Sequence, residues 1–108
     1  MYSKQDIEKL IELILQVLSP EKIILFGSYA TGKYKEESDI DLMILLNKKI
    51  DRKEKQKKMY ELRTLFFDYG FVVNLILNSV THFNDYKNYI GSINYSVNKY
   101  GKELWARN

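Results

Sequence analysis

Cysteine is absent from this chain of 108 residues, and histidine, proline and tryptophan each occur once. Without thiols there is neither a disulfide framework nor a thiolate metal site, which fits a reducing, cytoplasmic setting. The lone histidine, His82, has no second His, Cys or acid at ligand spacing, so it reads as a cap or surface residue rather than a ligand or catalyst. No apolar run approaches membrane-spanning length, and the first residues lack the basic-then-apolar layout of a signal peptide, so no membrane role is expected. Internal repeats, linkers and low-complexity runs are missing too, which leaves one compact domain over residues 1–108 as the expected organisation. With 45% hydrophobic residues the chain has material for a modest core, and a formal charge of +3 tolerates acidic partners without demanding nucleic acid.

What the chain does have is concentrated between Ile23 and Leu46. An apolar strand, Ile23–Phe26, runs into Gly27-Ser28, a short helix over Tyr29, Ala30 and Thr31 closed by Gly32, a polar loop from Lys33 to Ser38, and a second strand carrying Asp39 and Asp41. Side chains alternate along a strand, so Asp39 and Asp41 share one face, about 6.6 Å apart along the backbone, while Ile40 and Leu42 share the other. Carboxylates at that spacing suit divalent ions of the kind that clamp phosphoryl transfer, and hard oxygen donors suit magnesium or manganese. Gly27 allows a tight turn and close approach to a ligand, and Ser28 opens a helix whose free amides and dipole attract phosphate. A metal-bound nucleotide triphosphate would satisfy both halves.

These residues resemble the pattern of the DNA polymerase β-like nucleotidyltransferases: Gly-Ser, a spacer of ten residues between Ser28 and Asp39, then Asp-Ile-Asp between two apolar strands. The chain looks most like the minimal nucleotidyltransferases, over nearly its whole length. The resemblance implies an α+β fold, a small mixed β-sheet flanked by helices. It implies that Gly27 and Ser28 grip the β- and γ-phosphates of ATP, and that Asp39 and Asp41 are catalytic and hold Mg2+ or Mn2+. Some minimal members are antitoxins that pair with a HEPN-domain RNase toxin and transfer AMP to a tyrosine on it, so the resemblance also implies such a partner.

One position departs from that pattern. The family places a third carboxylate on a central strand, and the apolar run Val72-Val73-Asn74-Leu75-Ile76 places Asn74 there. An amide oxygen can coordinate a hard cation, but it brings no charge and is no base near neutral pH. Nucleotide binding is then expected to survive while transfer weakens, unless a nearby acid such as Asp68 substitutes. The other account of Asn74 is a solvent-facing polar side chain with no part in a site.

Elsewhere the chain reads as cover for the sheet. Ser3 caps a helix to about Leu18 that turns Ile7, Leu10, Ile11, Ile14 and Leu18 inward, with Pro20 as its stop. Asp51 starts a second helix with Met59, Leu62, Leu65 and Phe66 inward and many lysines outward, the ordinary look of a solvated face. Phe71–Leu77 forms the strand of Asn74, helix follows Asn78-Ser79, and Lys99–Trp105 resembles a closing helix and turn. The rings and aliphatics from Tyr86 to Trp105 suit core, with some left for a protein interface. Three classes of function stay open: a transferase moving AMP onto a protein hydroxyl, a non-catalytic antitoxin that neutralises its partner by covering it, and a nucleic-acid-binding subunit using the basic helix.

Overall fold

The computed structural model describes residues 2–108 and shows a four-stranded mixed sheet with helices on both faces. Its strands are β1 (Lys22–Phe26), β2 (Ile40–Leu46), β3 (Val73–Ser79) and β4 (Lys102–Ala106), in the spatial order β3-β2-β1-β4. β1 lies antiparallel to both β2 and β4, and β2 lies parallel to β3. A parallel pair needs a crossover, which here is α3 (Arg52–Asp68). α1 (Lys4–Val17) precedes the sheet, α2 (Gly27–Thr31) joins β1 to the loop before β2, and α4 (Val80–Tyr86) and α5 (Ile93–Tyr100) connect β3 to β4.

Strand alternation divides the core. Ile23 and Leu25 of β1, Ile40, Leu42, Ile44 and Leu46 of β2, and Leu75 and Leu77 of β3 face α1 and α3, meeting Leu10, Leu13, Ile14, Leu62 and Phe66. On the opposite face Ile24, Met43 and Leu45 pack under Phe83 of α4 and Val97 of α5. β2 is buried on both sides from Leu42 to Leu46, hence its continuous apolar run. Each side chain fully buried there contributes roughly 1.5–3 kcal/mol relative to exposure.

Local chemistry sets the helix ends. Ser3 Oγ accepts the Asp6 amide at 3.2 Å while the Asp6 carboxylate accepts the Ser3 amide at 2.8 Å, a reciprocal capping box. Asp51 caps α3 by accepting the Glu54 amide at 2.8 Å. At the end of α5, Lys99 donates to the Tyr95 hydroxyl at 3.5 Å, and that contact with Tyr100 beside it raises the ammonium pKa. No helix among the described residues is long and apolar enough to cross a membrane.

Two expectations need correcting. The ending Lys99–Trp105 is not a closing helix and turn: α5 stops at Tyr100 and the chain pairs with the free edge of β1 as β4. Glu103 reaches Lys22 at 3.4 Å across that pair, and the Arg107 amide donates to the Glu21 carbonyl at 2.9 Å. A register shift between Ile23 and Ile24 breaks the alternation that would have marked a strand. The aromatic tail is the second. Tyr89 and Ile90 are 61% and 85% exposed, and of the residues expected there as core only Val97 is fully buried.

The turn into β4 depends on Gly101, where a Cβ would collide with the Val97 carbonyl and lie 2.7 Å from Ile24 Cγ2. Gly101→Ala is therefore expected to cost about 1–3 kcal/mol through overpacking, read as a lowered midpoint of thermal unfolding.

Candidate active site

Three strands bring the predicted residues to one end of the sheet. Phe26, the last residue of β1, pairs with Asp41, and Asp41 pairs with Asn74 across the parallel β2–β3 ladder. The bend at Gly27, the Asp41 carboxylate and the Asn74 amide thus stand in one row. α4 and α5 cover Met43 and Leu45 farther along but leave Asp41 half-buried and Asn74 exposed.

Gly27 is required twice over. Its φ of 70° lies in the left-handed region, and a Cβ there would overlap Asp41 Oδ2. The same missing Cβ brings the bend's backbone against the carboxylate. Gly27→Ala is expected to lower nucleotide affinity and transfer by about a hundredfold, since both backbone and carboxylate must shift by ångströms. Titration with Mg2+-ATP, followed by calorimetry, checks it.

Beyond that bend, α2 differs from the other helices. Ser3, Asp51, Ser79 and Ser92 cap α1, α3, α4 and α5 through their side chains, whereas α2 opens on Phe26 with no side-chain cap. Its first amides therefore face outward without a side-chain acceptor, in the arrangement that receives phosphate. The Thr31 hydroxyl donates weakly back to the Gly27 carbonyl at 3.4 Å, and Gly32, at φ 77°, ends the helix as expected.

The acids are placed less symmetrically than a shared strand would make them. Asp41 is within β2, but Asp39 precedes the strand's first residue and is exposed. Asn74 Nδ2 donates to Asp41 Oδ1 at 2.9 Å. Asn74 is thus an exposed side chain that also touches the acid. Its strand, β3, is an edge strand rather than a central one, which corrects the expectation for that position. Asp68 does not replace the missing acid by any hydrogen bond among the described residues; it ends α3 and is exposed.

A brace that sequence reasoning missed links the two halves. The Tyr29 hydroxyl accepts the Tyr2 amide at 3.2 Å, and the Tyr2 hydroxyl accepts the Val72 amide at 3.0 Å. α2 is thereby tied to the segment two residues before Asn74. Tyr34, in the loop before Asp39, stacks on Tyr29 with ring centroids 4.5 Å apart and planes 1° from parallel.

The donor set suits a hard cation. Groups of three or more His, Cys, Asp or Glu at ligand distance do not occur among the described residues, so an all-protein cage is excluded there. Magnesium commonly takes one or two carboxylates and completes its shell with water and substrate phosphate, which is what Asp39 and Asp41 beside a phosphate-ready turn would offer.

A family model described as polymerase beta nucleotidyltransferase matches residues 8–108. The chain belongs to this family. Among its relatives is a Methanocaldococcus jannaschii protein provisionally named a protein adenylyltransferase, 46% identical over 65 residues; that match spans 59% of this chain and 59% of the relative's length. A chain of a toxin-antitoxin structure with AMP-PNP is 26% identical, superposes with a TM-score of 0.65, and is matched over 94% of this chain and 73% of its own. A chain from the tri-AMPylated Shewanella oneidensis HEPN toxin in complex with MNT antitoxin is 22% identical, with a TM-score of 0.56, over 93% of this chain and 69% of its own, a likeness of fold. The polymerase β-like, α+β architecture expected from Gly27-Ser28 and Asp39-Ile40-Asp41 is the one found.

Proposed function

We propose that this nucleotidyltransferase moves AMP from ATP, with magnesium, onto a tyrosine hydroxyl of a HEPN-domain toxin, and so acts as its antitoxin. The observation that carries the reading is the row made by the Gly27 bend, Asp41 and Asn74, with Gly27 held against the Asp41 carboxylate. Gly27 and Ser28 receive the β- and γ-phosphates on the open amides of α2. Asp39 and Asp41 hold the cation, whose chemistry is to neutralise phosphate charge as a Lewis acid. The tyrosine oxygen attacks the α-phosphorus, the bond from that phosphorus to the β-phosphate's bridging oxygen breaks, and pyrophosphate leaves. The phenolic proton passes to water, because Asn74 is an amide and accepts none at neutral pH. Transfer is accordingly slow. The exposed Tyr89 and Ile90 supply apolar surface of the kind that protein partners cover.

The test is co-expression with a HEPN toxin and mass spectrometry of its tyrosines after incubation with ATP and magnesium. A partner carrying AMP supports the reading, and a free partner that stays unmodified and active contradicts it. One observation favours a second reading, a non-catalytic antitoxin or nucleotide-binding module: the amide that contacts Asp41 in place of an acid. A partner neutralised without any attached nucleotide would decide for that reading.

A further inference from the structure

A cavity of about 780 Å³ opens at the other end of the sheet, beyond the last residues of β2 and β3. Asp41 and Leu46 are five residues apart on β2, roughly 17 Å at strand rise, so the cavity and the acids are separate places. Its cationic wall comes from two elements: Lys48 and Lys49 in the loop after β2, and half-buried Lys55 on α3. Against these the cavity presents one acid, Asp85. Among the described residues, none of the three lysines lies within ion-pair distance of a carboxylate. Three like charges gathered on a concavity that offers a single carboxylate repel one another, and an anion relieves that repulsion.

The polar floor points the same way. Asn94 is 4% exposed, the buried polar residue among those described, and it lines the cavity. Its Oδ1 accepts from Asn78 Nδ2 at 3.3 Å, while Asn78 Oδ1 accepts the Ser79 amide at 2.9 Å, which fixes the pair. Asn94 Nδ2 has no partner among the described hydrogen bonds, and no described buried side-chain atom is both sealed and unpaired, so this amide group keeps access to solvent and is free to donate. Ile76 and Ile93 add apolar surface, and the His82 ring, 4.7 Å from Tyr86, adds an aromatic face. Ammonium groups on one side and apolar walls on the other match an organic phosphate, and the volume lies within the range of small-molecule sites.

We propose that this cavity binds a nucleotide-class organic phosphate, independently of the acid pair and without a metal. The experiment is an amide NMR titration of the whole protein with ADP in EDTA, where magnesium-dependent binding at Asp39 and Asp41 is suppressed. Saturable shifts at Lys48–Ile50, Asn78–His82 and Asn94, retained in Asp41→Ala and absent with adenosine, support the site. Lys49→Ala with Lys55→Ala is expected to weaken ADP about tenfold by removing two charge-assisted contacts. Shifts confined to Gly27 and Ser28, or no saturation, would overturn it. So would an oligoribonucleotide that binds the same residues tenfold more tightly than ADP, since the surface would then be a nucleic-acid groove.

Discussion

Asp41→Asn is expected to reduce AMP transfer by about a thousandfold or more, equivalent to roughly 4 kcal/mol of lost transition-state stabilisation. Asp41 is the acid at the centre of the row, with Gly27 on one side and Asn74 on the other. Asparagine keeps the volume beside Gly27 and removes the charge, so the loss is electrostatic rather than steric. The residue is half-buried and has no ion pair among those described, so folding stability should move by no more than about 0.5 kcal/mol. Transfer measured with labelled ATP, beside thermal unfolding of the same sample, separates the two. A variant that transfers normally would remove Asp41 from the chemistry.

Asn74→Asp is expected to act in the opposite direction, raising transfer by about a hundredfold, at the lower end of what a positioned general base contributes. The new carboxylate would stand where Asn74 Nδ2 now donates to Asp41 Oδ1 at 2.9 Å. The hydrogen bond is replaced by repulsion between neighbouring acids, which costs about 1 kcal/mol of stability in the absence of metal. Magnesium should restore stability in Asn74→Asp more than in the parent. Unchanged transfer with unchanged magnesium response would mean that position 74 takes no part in the site.

The parts of this molecule that were legible in its sequence are those where one local rule acts alone. Ser3 ahead of Asp6 marks the cap of α1, and Leu10 and Ile14 mark the buried stripe behind it. Gly27-Ser28 followed by Asp39 and Asp41 marked the candidate site because glycine, helix start and paired acids each have a chemical reason to be there. What escaped depends on partners distant in sequence. β4 has no clean alternation, since its pairing with β1 shifts register at Ile23 and Ile24, and only that free edge makes it a strand. The contact of Gly27 with Asp41 and the Tyr2 bridge from Tyr29 to Val72 come from cross-strand register and a long-range contact, which spacing along the chain does not encode. Tyr86, Tyr89 and Tyr100, expected as core, stay exposed because α4 and α5 are short and the sheet has few apolar positions left for them.

Calorimetric titration of the protein with ATP, with and without magnesium, in parent and Asp41→Asn forms, tests the central claim most directly. A saturable event that requires magnesium and disappears in the variant, separate from the metal-independent binding at the lysine-lined cavity, is the predicted result. Magnesium-dependent occupancy that the variant retains in full, or none in the parent, would contradict the assignment of nucleotide to the glycine bend and the acids beside it.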